Sequence, residues 1–366
     1  MNKHVAMDKV CDMHIGIVHE CKMDERRVAL FPEHVQQLIQ LGARVYVPQG
    51  LGHEVGYSHS DYAQVGAEVV EHNQAVYARA EVIIKVKEPV EEDLRYINAS
   101  HTLFCYLHLA SNPKLIRALL QSECSAYAFE MVKGSDENPW PLLAPMSQVA
   151  GVLAADVGMQ FLRYPYGTKG LLSGFSTAPV RALVIGAGQV GTYACARLHA
   201  QGVCVQVADV RAAAKQAIDA RFHGQVETLS TEHDTIAALL AHSDLVIGAS
   251  LAPGLQTPKA ITRDMLSYLL PGSVLVDVSI DQGGCFASSK PTTHSDPTYI
   301  DQGIIHYAVT NMPSAVATTS SKLLADAIFP WIEHFATAEA NRPEALQAAC
   351  MLADGKVCFD PLLRYM

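Results

Sequence analysis

Four polar side chains stand just past short apolar runs in this chain. Lys87 follows Val82-Ile-Ile-Lys-Val, His108 follows Leu103-Phe-Cys-Tyr-Leu, Asp281 follows Val274-Leu-Val-Asp-Val-Ser-Ile, and Asn311 follows His306-Tyr-Ala-Val. Runs of this kind read as buried parallel strands, and open α/β sheets hold ligands at the carboxyl ends of their strands, so these are the positions at which a site is expected. Period-two alternation puts Lys85 and Lys87 on one face, with Lys87 nearer the strand mouth; a solvated lysine at a strand end is the plainer alternative. His108 has the residue type of a general acid or base near neutral pH, although a hydrogen-bonded core histidine is open too in a chain with 16 of them. Asp281 begins Asp281-Gln-Gly-Gly-Cys285, a carboxylate followed by glycines that open the backbone to a ligand, or else a turn aspartate. Arg27, in the charged loop after the first apolar run His14 to Val18, carries a planar fork suited to a carboxylate; Arg26 is its alternative.

A second kind of chemistry is written in Arg181 to Asp209. The apolar run Ala182 to Ile185 breaks into Gly186-Ala-Gly188-Gln189-Val190-Gly191, a helical pattern resumes from Thr192 to Ala200, and a further apolar run, Val203 to Val207, leads to Asp209. Strand, glycine turn, helix and an acid about 20 residues on make up a dinucleotide fingerprint. Gly186 permits the tight turn, Gly188 lets the backbone approach a pyrophosphate, and Gly191 lets the helix pack against the sheet. The helix N-terminus offers unpaired N–H groups and partial positive charge to the phosphates. Asp209 suits the hydroxyls of an adenosine ribose and would repel a 2′-phosphate, which favours NAD over NADP.

The elements needed to position these residues alternate. Strands are expected at His14 to Val18, Arg44 to Val47, Val82 to Lys87, Thr102 to Leu107 and Ser125 to Phe129, with helices from Pro32, at Asp61 to Val65, Ala75 to Ala80 and Pro113 to Gln121. Past Asn138-Pro139-Trp-Pro141 a helix from Ser147 to Leu162 leads to the glycine-turn strand and to further strands at Leu245 to Ile247, Val274 to Val276 and Ile305 to Val309. Ser320 to Phe335 and Pro343 to Leu352 read as C-terminal helices. The fold class expected is α/β, two Rossmann-like doubly wound domains with parallel sheets and a cleft between them. The substrate domain is expected to be discontinuous, 1–141 plus about 320–366, and the nucleotide domain to span 142–319.

Composition narrows the function. At 366 residues, 49% hydrophobic and 17% charged, the chain suits a well-buried enzyme of two domains. Its net charge of −10 comes without a basic cluster, so no nucleic-acid partner is expected. Nine cysteines without a CxxC pair fit a reducing compartment, the cytoplasm, and neither Cys nor His falls at the paired spacing that zinc requires. Lys3, Asp8, Lys9 and Asp12 interrupt the N-terminal stretch, so no secretory signal is expected, and no run reaches the length of a membrane span.

Taken together, Glu25-Arg-Arg27-Val-Ala, Lys85-Val-Lys87-Glu-Pro, Tyr106-Leu-His108-Leu-Ala, Leu142-Leu-Ala-Pro-Met-Ser-Gln-Val-Ala-Gly151, Ala187-Gly188, Asp277-Val-Ser-Ile-Asp281-Gln-Gly-Gly-Cys and Asn311-Met-Pro resemble the alanine dehydrogenase family, in order from about Met13 onward. The resemblance implies reversible oxidative deamination of L-alanine with NAD to give pyruvate, ammonium and NADH. It implies that Arg27 and Lys87 bind the substrate carboxylate and carbonyl, that His108 and Asp281 handle protons, and that Ser147, Leu251 and Asn311 contact NAD beside the glycine turn and Asp209. A homohexamer is implied as well. Two departures stand beside the matches: Ser173 to Pro179 is shorter than the family's usual segment, and Val152 replaces a common arginine. The alternatives are a saccharopine-type or transhydrogenase-type enzyme, or a protein that only senses NAD; retention of both His108 and Asp281 counts against the last.

Overall fold

The computed structural model describes residues 13–250, 254–336 and 342–366. The chain divides into two compact units, 1–145 with 314–366 and 146–313. The first unit opens with β1 (His14–Ile17), β2 (Arg44–Pro48), β3 (Glu68–Val70), β4 (Val82–Ile84), β5 (Thr102–Cys105) and β6 (Ser125–Ala128). The second contains β7 (Arg181–Ile185), β8 (Cys204–Ala208), β9 (Glu227–Leu229), β10 (Leu245–Gly248), β11 (Val274–Asp277), β12 (Thr298–Asp301) and β13 (Ile304–Tyr307). The chain then returns to the first unit for the helix Ala317–Ile332 and for β14 (Cys350–Ala353) and β15 (Lys356–Val357).

Both sheets have the same internal order. In the first unit β3-β2-β1-β4-β5-β6 are parallel neighbours, and in the second so are β9-β8-β7-β10-β11-β13. This is the doubly wound order, with the winding direction reversing between β1 and β4 and again between β7 and β10. Antiparallel strands extend one edge of each sheet: β14 and β15 beyond β6, and β12 beyond β13. The expected parallel strands form the centre of each sheet, and the antiparallel edges add to them.

The alternation of apolar side chains explains why the strands are buried on both faces. On β7, Ala182 and Val184 join a cluster with Ala154, Ala194 and Leu198, while Leu183 and Ile185 join another with Ile236, Leu240 and Met265. Each fully buried aliphatic side chain contributes about 1.5–3 kcal/mol, which outweighs the weak local preferences of strands this short. Helix starts are explicit in the sequence. Pro32 and Pro113 occupy first-turn positions, and the Asn112 side chain accepts from the Leu115 N–H at 3.1 Å.

A helix over Pro343 to Leu352 does not form. Only Glu344–Gln347 is helical, and Cys350–Ala353 is β14, almost wholly buried against β6. Helix propensity in Ala-Leu-Gln-Ala-Ala is weak beside the benefit of satisfying the open hydrogen-bonding edge of β6. The strand expected through Lys87 is also shorter, since β4 ends at Ile84, although ladder bonds continue irregularly from Lys85 N–H to Phe104 O and from Tyr106 N–H to Val86 O. No helix among the described residues is long and apolar enough to cross a membrane.

Candidate functional site

In the first unit the loops after β1 and β4, the two strands at the reversal point, carry Arg27 and Lys87; His108 lies past β5. Glu20 ties the two loops together. Its Oε1 accepts from the Val86 N–H at 2.6 Å and its Oε2 from the Lys87 N–H at 3.3 Å. The same carboxylate lies 3.4 Å from Lys85 Nζ, which is 3.2 Å from Asp93 as well. Burial alone would lower the Lys85 pKa, but Glu20, Tyr77 and Asp93 hold it well above the usual range. Lys85 is therefore committed to a buried ion cluster.

Arg27 is gripped from beneath by Glu25. Arg27 Nε donates to Glu25 Oε1 at 2.8 Å, Nη2 donates to Oε2 at 2.6 Å, and the Arg27 backbone N–H donates to Oε1 at 2.9 Å. Both side chains are buried. A bidentate carboxylate fixes the plane of a guanidinium, so the orientation of the fork is set before any ligand arrives.

His108 sits in left-handed backbone, φ 45° and ψ 39°, which a non-glycine residue adopts only when its surroundings impose it. Glu130, at the end of β6, supplies that constraint. Its carboxylate accepts from His108 N–H at 2.7 Å and from Leu107 N–H at 3.2 Å, and it lies 3.9 Å from His108 Nδ1. The imidazole runs parallel to the Tyr106 ring, 3° between planes and 5.8 Å between centroids, and the Tyr106 hydroxyl donates to the Leu142 carbonyl.

The charges around these groups act against burial. Burial would raise the Glu88 carboxyl, yet Lys87, Lys22 and His108 together bring it below its ordinary value. Burial raises the Tyr106 phenol against the opposing pull of Arg27. Arg27, Lys87 and His108 thus follow the carboxyl ends of β1, β4 and β5 in one parallel sheet, where Glu20, Glu25 and Glu130 accept hydrogen bonds from the Lys87 N–H, the Arg27 side chain and the His108 N–H, and Glu88 pairs with Lys22.

In the second unit β7 runs into the glycine turn. Gly186 has φ 111°, and a Cβ there would stand 2.5 Å from the Ala249 carbonyl oxygen; one on Gly191 would overlap the Gly186 carbonyl. Gly188 is open, since only Arg211 Nη2 lies within 4.0 Å of where its Cβ would be. Gly188 caps the helix Gln189–Ala200, whose first residues are Gln189 and Val190, and that helix end is free of any side-chain cap. A tight turn, an open middle glycine and uncapped N–H groups fit a dinucleotide pyrophosphate. Asp209, at the end of β8, accepts from the Ala187 N–H at 2.7 Å and pairs with Arg211. Burial would raise its pKa, but Arg211 and the Ala187 N–H bring it below the usual carboxylate range.

Ser147 is buried in the first turn of the helix Ala144–Phe161, and the next residue, Gln148, donates to Gln189 Oε1 at 3.3 Å. Asp281, in the turn after β11, accepts at Oδ1 from the Asn311 N–H at 3.2 Å, with Asn311 itself left-handed at φ 64°. The second unit thus brings Asp281 and Asn311 together. Asp277 anchors the same loop by accepting from the N–H groups of Ser279, Cys285 and Phe286. Leu251 lies outside the described residues.

Glu25, Glu130 and Glu88 escaped the reading of the sequence as site residues. The signal for Glu130 was present: it follows the apolar run Ser125 to Phe129 in the same way that His108 follows its own strand.

Two doubly wound units, one with a dinucleotide cradle at its reversal point and the other with Arg27 and Lys87 there and His108 past the adjoining strand, define a two-domain nucleotide-binding α/β protein. Comparison with known proteins sharpens this. Residues 16–150 match the model for the alanine dehydrogenase/PNT N-terminal domain and 154–360 that for the alanine dehydrogenase/PNT C-terminal domain. The chain is 42% identical to an alanine dehydrogenase of Halomonas elongata over 355 residues, 96% of this chain and 95% of the relative. It is 40% identical to the alanine dehydrogenase of Bacillus subtilis over 361 residues, 96% and 94% of the respective chains. A solved L-alanine dehydrogenase superposes with a TM-score of 0.87 at 33% identity, covering 96% of this chain and 99% of that one. A transhydrogenase from Sinorhizobium meliloti shares the fold, with a TM-score of 0.78 at 24% identity. The chain belongs to the alanine dehydrogenase/PNT family.

Proposed function

We propose that the chain catalyses the reversible, NAD-dependent oxidative deamination of L-alanine to pyruvate and ammonium. The observation that carries this reading is the retention of Arg27, Lys87 and His108 at the mouth of the first sheet in a chain about 40% identical to alanine dehydrogenases over nearly its whole length. NAD bound at the glycine turn supplies the hydride acceptor. The first unit is proposed to bind substrate and the second to bind the nucleotide.

Arg27, its plane set by Glu25, takes the substrate carboxylate as a bidentate partner. Lys87 holds the carbonyl oxygen of pyruvate. His108 and Asp281 move protons as water adds to the substrate imine, a task that suits an imidazole and a carboxylate at neutral pH. Ser147, Leu251 and Asn311 are proposed to contact the nucleotide beside Gly186, Gly188, Gln189, Val190, Gly191 and Asp209. Hydride transfer needs no further base, only substrate Cα held about 3–3.5 Å from the acceptor carbon.

The test is NADH formation with L-alanine against a panel of amino acids, and NADH consumption with pyruvate plus ammonium. Activity confined to another amino acid, or none with any, would remove this reading in favour of a saccharopine-type enzyme or an NAD sensor. We further propose a cytoplasmic homohexamer. Nine cysteines without a CxxC pair suit a reducing compartment, and sedimentation velocity would measure the assembly.

A further inference from the structure

Lys85 is buried beside the candidate substrate residues and has no part in the chemistry proposed for them. Its ammonium lies 3.4 Å from Glu20 and 3.2 Å from Asp93, and the side chains of Lys85, Glu20 and Asp93 are 1%, 3% and 1% exposed. An ammonium carries three donors, yet none of these is aligned on an acceptor among the described residues, so both ties are ionic. A buried ion cluster of this kind is weak evidence for stability, because apolar side chains of similar volume often serve as well or better. What the cluster touches gives it another role.

One end reaches the backbone that carries Lys87. β1 pairs with β4 only as far as Ile17 opposite Ile84, so the Val86 and Lys87 N–H groups lie past that ladder. Glu20, beyond the end of β1, accepts from them instead, at 2.6 Å and 3.3 Å. A side-chain carboxylate thus stands in for a strand where Lys87 leaves the sheet. The other end is fixed, since Asp93 accepts from the Tyr77 hydroxyl at 3.0 Å and from the Val90 N–H at 3.1 Å. Lys85 sits between the two carboxylates. Without it they are like charges buried close together, and their repulsion acts to drive Glu20 off the Lys87 N–H.

We propose that Lys85 is a positioning residue for the reaction: it holds the Glu20 carboxylate on the Val86 and Lys87 N–H groups, and so sets the place from which Lys87 reaches the substrate. It acts through Glu20 and touches no substrate itself. The inference rests on the proposed function, in which Lys87 binds the pyruvate carbonyl.

The experiment follows NADH consumption with pyruvate and ammonium by the full chain, Lys85→Met, Glu20→Gln and the double variant, with NADH affinity by fluorescence and melting temperatures alongside. Lys85→Met should raise the pyruvate KM and lower kcat/KM for pyruvate roughly ten- to a hundredfold, the scale of a small misplacement of a binding group, while NADH affinity stays within about twofold. Glu20→Gln, which leaves one oxygen for two N–H groups, should do the same. Because Lys85 acts through Glu20, the double variant should be no worse than Glu20→Gln alone. It also removes both charges, so its comparison with Glu20→Gln decides the matter if Lys85→Met fails to fold. An unchanged pyruvate KM in Glu20→Gln would overturn the proposal, as would a Lys85→Met protein that melts lower but keeps its pyruvate KM, or losses that multiply in the double variant. Inactivity of the unmodified chain with pyruvate would instead overturn the proposed function, and this inference with it.

Discussion

Replacing Glu25 by alanine tests the most sharply defined interaction of the candidate substrate site. The substitution leaves the Arg27 guanidinium in place, 2% exposed, without the carboxylate that accepts from its Nε and Nη2 at 2.8 and 2.6 Å. Removing one partner of a buried ion pair costs about 3–5 kcal/mol, because a charge remains in a poorly solvated place. In a unit of roughly two hundred residues each kcal/mol moves the melting temperature by about 2–4 °C, so a fall of roughly 6–20 °C is expected. Circular dichroism melts would measure it. Glu25→Ala combined with Arg27→Met removes both charges, and buried pairs replaced by apolar side chains are often neutral or better, so the double variant should regain most of the loss while remaining inactive with alanine. The double variant therefore separates a stability role from a binding role. A single variant melting within about 2 °C of the unmodified protein, or a double variant no more stable than the single, would refute the reasoning.

Three further outcomes are expected. Glu88 is held below its ordinary pKa of 4.5 because Lys87, Lys22 and His108 outweigh the opposing effect of burial; a depressed carboxyl contributes stability above its unfolded pKa and loses it as pH falls through the folded one. Glu88→Gln should flatten the loss of urea stability below pH 4.5, and parallel curves for the two proteins would count against the ion pairs as its source. His108→Ala and Asp281→Asn should each lower turnover by about 10²–10⁴ while NADH binding, followed by fluorescence, persists; near-normal turnover in either removes that residue from the mechanism. Gly188→Ala, with open space at its Cβ, should fold normally and lose nucleotide affinity, whereas Gly191→Ala, which meets the Gly186 carbonyl, should melt lower, and the reverse pattern would contradict the cradle.

What was legible in the sequence was whatever repeats at a fixed period or ends abruptly. Apolar runs marked the inner strands, and the break of Ala182 to Ile185 into glycines marked the turn with its phosphate-binding helix. The antiparallel edges were not legible, because a strand such as Cys350–Ala353 is chosen by the vacant side of β6 and not by its own pattern. Lys85 and Lys87 show the same limit on a smaller scale. Alternation treats them alike, but β4 has ended before either, and the buried partners Glu20 and Asp93 claim Lys85.

The carboxylates beneath the site were hidden for a different reason. Arg27, Lys87 and His108 attract notice because their residue types match a chemistry, whereas Glu25 and Glu130 act only on the groups that do. Glu130 holds His108 in a left-handed conformation that costs on the order of 1–3 kcal/mol, and it does so through backbone N–H groups that any residue but proline at positions 107 and 108 would offer. Nothing in the identity of His108 announces that need. The strain becomes intelligible only when the strand order places β6 beside β5, so that the carboxylate ending one strand faces the turn that follows the other. Position along the chain therefore marks where chemistry is attempted, and the neighbour across the sheet determines whether the group that attempts it is held in one orientation.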